Sequence, residues 1–96
     1  MDFKFSSEKN ELLKASRNIS FDEVLMCIKS DNLLADIAHP SAKHNNQRIY
    51  VIKMRNYAYA VPYVINKERK EIFLKTIYPS RAFTNLYLKG AEYGKK

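Results

Sequence analysis

The sequence predicts an α+β fold made of two N-terminal helices, an antiparallel β-sheet of three to four strands and a C-terminal helix. Three observations predict it. Two segments before residue 31 carry helix caps and apolar residues at helical spacing. Residues 48–78 alternate with period two and are rich in Ile, Val, Tyr and Phe, and a Ser-capped amphipathic stretch closes the chain.

Each element follows from its residues. Phe3 and Phe5 alternate around Lys4, a short strand signal. Ser6-Ser7-Glu8 then reads as a cap with an acid in the first turn, which starts a helix over about Ser7 to Arg17. Its apolar content, Leu12, Leu13 and Ala15, makes one narrow inward stripe, with Lys9, Lys14 and Arg17 outward. Ser20 and Glu23 form a capping box, and Ile19 and Val24 occupy the staple positions, so a second helix begins at Phe21 and runs to about Ser30. Phe21, Val24, Leu25 and Ile28 share its buried face, and Cys27 beside them reads as a small buried hydrophobe. Leu33 to Ala38 makes an edge strand, and His39-Pro40 opens a mobile polar loop over 39–47.

Strands follow at Arg48–Met54, Tyr57–Ile65 and Glu71–Tyr78, joined by turns at Arg55-Asn56 and at Asn66 to Lys70. Pro62 predicts a bulge or an edge position within the middle strand. That strand turns Tyr57, Tyr59, Val61, Tyr63 and Ile65 one way and Ala58, Ala60, Pro62 and Val64 the other. The small face suits close packing by the two N-terminal helices and would leave the tyrosines opposite; the reverse packing is the alternative. Ser80 caps a last helix over Arg81–Lys89 with Phe83, Leu86 and Tyr87 inward and Gly90 at its stop, followed by a frayed basic tail over 91–96.

At 96 residues the chain is expected to form a single domain over 1–90, since a chain this short buries only about 60–65% of its unfolded surface and supports one core. Residues 1–38 hold five Lys/Arg against seven Asp/Glu, net −2, whereas residues 39–96 hold twelve against three, net +9. A field of that kind attracts polyanions, above all nucleic acid, or an acidic protein. One cysteine makes no disulfide framework, and no charged-then-apolar leader opens the chain, so the expected compartment is the cytoplasm. The longest apolar run, Ala58 to Ile65, is far shorter than the roughly 20 residues of a membrane-spanning helix, so no membrane association is expected.

No metal-ligand spacing, P-loop, dinucleotide fingerprint or nucleophile elbow occurs, so no cofactor and no metal are expected. What stands out is cations and phenols on the sheet and its flanks: Arg48, Tyr50, Lys53, Arg55, Tyr57, Tyr59, Tyr63, Lys75, Tyr78 and Arg81. Tyr rings stack on unpaired bases while Lys and Arg hold phosphates, a combination that suits RNA. The competing reading for any single Tyr is a core or cross-strand partner. Lys53 and Lys75 each interrupt an apolar strand, as cations that line a groove or snorkel at an edge do. Arg81 opposes the dipole at the start of the last helix, where its guanidinium and free N–H groups would jointly hold a phosphate.

Ile19-Ser20-Phe21-Asp22-Glu23-Val24, the preceding Glu8-Lys9-Asn10, and Ile72-Phe-Leu-Lys-Thr-Ile-Tyr-Pro-Ser-Arg81-Ala82 resemble the small toxins of the BrnT type, over about Phe3 to Leu88. Where those proteins open with Trp-Asp-Pro-x-Lys, this chain has Phe5-Ser-Ser-Glu-Lys9. Their Arg-x-Ile-Ser-Ala-Arg-Arg-Ala pattern is here Lys75-Thr-Ile-Tyr-Pro-Ser-Arg81-Ala82. The resemblance implies a RelE-like fold and membership of the RelE/ParE-like superfamily of bacterial type II toxins. These cleave RNA without a metal and are neutralised by a cognate antitoxin.

In such a reaction the ribose 2′-OH attacks the adjacent phosphorus, which calls for a base, an acid and cations facing the phosphorane. Arg81 and Lys75 are the candidate phosphorane stabilisers, and Lys53 or Tyr78 the candidate proton carriers. Lys9, Arg48, Arg55 and Tyr50 are candidates for holding the RNA, with His39 a further RNA contact and natural proton carrier, for which a structural or solvated role in the loop before Pro40 is the alternative. The resemblance further implies a hetero-oligomer with a ribbon-helix-helix, DNA-binding antitoxin whose acidic segment lies on the basic surface, and RNA as substrate, whether free or on the ribosome. The absent Trp and Asp keep open a non-catalytic binding module on the same fold, and gyrase inhibition is a third reading.

Overall fold

A computed structural model describes residues 1–39 and 47–89; residues 40–46 of the loop expected over 39–47, the expected helix stop Gly90 and the tail expected over 91–96 lie outside the described residues, while Gln47 already belongs to a strand and pairs with His39. The elements are β1 (Asp2–Phe5), α1 (Ser7–Arg17), α2 (Phe21–Ile28), β2 (Leu33–Ala38), β3 (Gln47–Met54), β4 (Tyr57–Asn66), β5 (Glu71–Leu74), β6 (Tyr78–Pro79) and α3 (Arg81–Thr84), which continues as a π-helical turn over Asn85–Lys89. The α+β class is as the sequence predicts, whereas the sheet is larger than the three to four strands expected. Among the described residues it has six strands in the order β1-β5-β4-β3-β2, with β6 also paired to β4. It is mixed, because β1 runs parallel to β5 while every other pairing is antiparallel.

The serine caps form as predicted, whereas Glu23, expected to close the capping box on Ser20, turns to Arg55 instead. The Ser6 and Ser20 hydroxyls accept from the N–H groups of Lys9 and Glu23 at 3.1 and 3.2 Å. The Glu23 carboxylate accepts from Arg55 at 3.0 Å, and the same guanidinium donates to the Asn18 carbonyl at 2.7 Å. These bonds hold the two-residue β3–β4 turn, in which Arg55 and Asn56 both have positive φ, 56° and 61°, without a glycine to relieve it. On α1 the inward stripe is narrower than expected. Leu13 is buried, Leu12 is exposed, and the second inward residue is Asn10. Its amide oxygen accepts from the Phe21 N–H at 2.7 Å and its nitrogen donates to Asp22 at 3.4 Å, which locks α1 to the start of α2.

The packing of β4 is the reverse of the preferred expectation. Val61 and Tyr63, with Tyr59 and Ile65 partly buried, join Phe21, Val24, Leu13 and Cys27 beneath α1 and α2, while Ala58 and Ala60 face α3 and the turn after it. The small face does receive a helix, but it is the C-terminal one: Phe83, Tyr87 and Leu88 pack on Ile49, Val51, Ala58 and Ala60. Leu86, expected inward, is exposed, because the wider π turn brings Leu88 round to the sheet in its place.

Pro62 sits in a central strand rather than at an edge, with β3 on one side and β5–β6 on the other. Its carbonyl accepts from the Lys75 N–H at 2.8 Å, so its missing donor faces the same neighbour. There the expected single strand over 71–78 breaks. Leu74 pairs with Tyr63 and Tyr78 with Ala60, which leaves one extra residue on the β5–β6 side, a bulge over Lys75, Thr76 and Ile77. Ile77 turns into the core while Lys75 stays exposed. Among the described residues no helix is long and apolar enough to cross a membrane.

Candidate functional site

Beyond the edge of α3, on the same face of the sheet, the bulge opens a cleft of about 220 Å³ lined by His39, Gln47, Pro62, Tyr63, Lys75 and Thr76. Its walls come from four strands. His39 follows β2 and donates its N–H to the Gln47 carbonyl at 3.3 Å, Gln47 opens β3, and Pro62 and Tyr63 lie in β4. Lys75 and Thr76 are the bulge itself. A lysine and a histidine thus line one hollow, each held there by a backbone hydrogen bond to the neighbouring strand. That arrangement suits a phosphodiester, with one group meeting negative charge and another exchanging a proton.

Beneath this end of the sheet, on the face turned toward α1 and α2, lies a hydrogen-bonded cluster that sequence reasoning did not identify. The Tyr63 hydroxyl donates to Asp36 Oδ1 at 2.5 Å; Arg48 Nε lies 3.0 Å from that oxygen and 3.2 Å from the Tyr63 hydroxyl, and Nη2 donates to the Asp36 carbonyl at 2.8 Å. The Tyr50 and Tyr63 rings stack with centroids 4.0 Å apart. Burial, reinforced by the neighbouring Asp36 carboxylate, pushes the Tyr63 phenol well above its ordinary value, and burial pushes Tyr50 up as well. The hydrogen bond that Arg48 donates to Asp36 raises the guanidinium further. In sequence Asp36 was the only acid in an apolar edge strand, the one available hint of the cluster.

The other expected site residues separate. Tyr78 and Arg81 follow Lys75 along the same flank of β4: Tyr78 lies level with Ala60, and Ser80, which caps α3, donates its N–H to Ala58. Lys53 pairs with Ala58 on β3 and lies at the far end of the face from Pro62, four residues or roughly 13 Å along β4, with α3 packed between. It lines instead a depression of about 400 Å³ with Glu23, Cys27, Asn32, Met54, Arg55 and Asn56. Lys53 therefore does not join Lys75 in one catalytic group.

Among the candidate RNA contacts, Tyr50 is only 7% exposed and its ring is held in the core, so it offers no face to a base. Arg48 is engaged by Asp36 and Tyr63, and Arg55 by Asn18 and Glu23. Lys9 is exposed on α1, in the layer on the other side of the sheet from the cleft. Only His39 of that set lines the cleft. Cys27 is buried as expected, its Sγ 3.5 Å from the Lys53 carbonyl; burial pushes the thiol up, with Glu23 adding to the rise and Arg55 opposing it. Such a thiol is a poor nucleophile. Among the described residues no three His, Cys, Asp or Glu side chains group so as to hold a metal ion.

Compared with known proteins, the chain matches no family model, no curated protein and no solved structure.

Proposed function

We propose that this chain is an endoribonuclease, the toxin of a type II toxin–antitoxin pair, which cleaves RNA at the cleft between His39 and Lys75. The observation that carries the reading is that cleft, which His39 and Lys75 both line. The segments similar to BrnT-type toxins support it, as does the net charge of +9 after residue 38. In the proposed reaction the ribose 2′-oxygen attacks phosphorus and its proton passes to the His39 imidazole. The Lys75 ammonium meets the phosphorane charge and gives a proton to the departing 5′-oxygen as the P–O5′ bond breaks. The products are a 2′,3′-cyclic phosphate and a 5′-hydroxyl, and Arg81 holds a neighbouring phosphate. Each positioned group contributes ~10²–10⁴-fold. The proposed antitoxin, of ribbon-helix-helix type by the same resemblance, lays an acidic segment over these cations and so excludes RNA.

The test is incubation of the purified protein with RNA in EDTA, with and without ribosomes, beside His39→Ala, Lys75→Ala and Arg81→Ala. Cleavage that falls ~10²-fold or more in the first two variants supports the reading; no cleavage by any form sinks it. A second reading, a binding module without chemistry, draws on the engagement of Arg48 within the fold and the separation of Lys53 from Lys75. It predicts RNA retention with a steep salt slope, no cut products and no growth arrest on expression.

A further inference from the structure

Two large aromatic side chains on this face are exposed where strand alternation would allow burial. Phe73 is 40% and Tyr78 39% exposed, and among the described residues neither ring packs on another ring. Their chain neighbours Ile72, Leu74 and Ile77 turn into the core beneath α1 and α2, so both rings stand on the opposite face, the face of the cleft. Single exposed apolar residues are ordinary. These two are ordered relative to a cation. Phe73 lies level with Val64, Lys75 with Pro62 and Tyr78 with Ala60, three successive same-face positions of β4.

Same-face positions on a strand are about 6.5–7 Å apart, close to the length of backbone that one extended nucleotide spans. The bulge makes this alignment possible. Without the extra residue, position 77 rather than 78 would lie level with Ala60, and a core side chain would replace the phenol.

We propose that Phe73 and Tyr78 form a stacking platform for single-stranded RNA, with bases n and n+2 on the two rings and one of the two phosphates between them at Lys75, over the mouth of the cleft. The proposal rests on the reading of the cleft as an RNA site and names the strandedness and the subsites of its substrate. Stacking needs an unpaired base with an accessible π face, so the platform takes single strands and rejects duplexes; it tolerates any base.

The experiment is fluorescence anisotropy with a short labelled single-stranded RNA and the same sequence as a duplex, across a salt series, with cleavage in EDTA followed on the same samples. Phe73→Ala and Tyr78→Ala are each expected to weaken single-strand binding about 5- to 150-fold with the salt slope unchanged. Lys75→Ala is expected to reduce the magnitude of that slope by about 0.7. Duplex binding should be weaker and indifferent to Phe73. Phe73→Leu, which keeps apolar bulk and loses the π face, should behave as Phe73→Ala, and thermal melts of each variant separate loss of stacking from loss of fold.

If the wild type binds the single strand and both Phe73 variants match it, the platform is overturned even where RNA is cut and the endoribonuclease reading stands. If the aromatic variants show the expected losses while no form cuts RNA, the platform stands and the enzyme reading falls. Failure of the wild type to retain any single strand overturns the platform outright.

Discussion

Tyr63, Asp36 and Arg48 bond to one another on the sheet face opposite the cleft and tie the edge strand β2 to the centre of the sheet. Asp36→Ala is the sharpest perturbation of that tie. The Tyr63 hydroxyl would lose the acceptor that it meets at 2.5 Å, and as Tyr63 is 2% exposed, water reaches its O–H poorly. An orphaned buried donor costs about 1–3 kcal/mol. The Asp36–Arg48 pair, with side chains 41% and 34% exposed, adds little because solvent screens it. The expected loss is therefore about 1–3 kcal/mol, and for a domain of this size each kcal/mol lowers Tm by about 4–8 °C.

Tyr63→Phe removes the donor itself, so Asp36→Ala made on top of it should cost much less than in the wild type. A double-mutant cycle followed by urea unfolding should give a coupling of about 1 kcal/mol or more. Additivity within about 0.3 kcal/mol, with the single variants near wild type, would refute the idea that this bond fastens β2 to the sheet.

Three further expectations are open to measurement. Asn10→Ala, which strips the acceptor from the buried Phe21 N–H, should cost about 1–3 kcal/mol in urea unfolding, whereas Leu12→Ala on the exposed side of α1 should change stability by no more than about 0.5 kcal/mol. Tyr50, Tyr63 and Cys27 all keep their protons to higher pH folded than unfolded, so stability should be full below the ordinary thiol value of 9.0 and the phenol value of 10.0, then fall as pH rises beyond them. A pH series of melts that stays flat through that alkaline range would contradict the burial of these groups. Lys53→Ala should leave RNA cleavage within a few-fold of wild type while Lys75→Ala abolishes most of it, since α3 lies between the two; equal losses would show that both act in one site.

The N-terminal helices were legible because their signals are local. Ser6 and Ser20 sit three residues from the N–H groups they cap, so their helix starts read directly, while the distant Arg55 draws Glu23 away from its local partner. The face of β4 was not legible, because both faces of that strand are covered and a Tyr is apolar enough for either. Which helix lies on Ala58 and Ala60 depends on where residues 81–89 return, and strand alternation carries no information about that.

The two lysines that interrupt apolar strands looked equivalent in sequence. Tertiary placement separates them, one beside the bulge opposite Pro62 and one beside the β3–β4 turn. The parallel partner of β1 was invisible for a related reason, since its complement lies at residues 71–74.

That distant pairing bears on how the molecule assembles and comes apart. Strands β3 and β4 meet across a two-residue turn, so their hairpin closes with almost no loop entropy, whereas Asp2 must find Glu71, 69 residues away in the chain. The acidic N-terminal section supplies both margins of the sheet, β1 on one side and β2 on the other, with α1 and α2 strapped between them. Loop-closure entropy therefore favours forming the hairpin first and closing the strap over it afterwards, an order that φ-values for β1 and the β3–β4 turn would test. Weakening β1 should leave the folding rate nearly untouched and hasten unfolding, so how long the native state persists is set by the first five residues rather than by the strands they enclose.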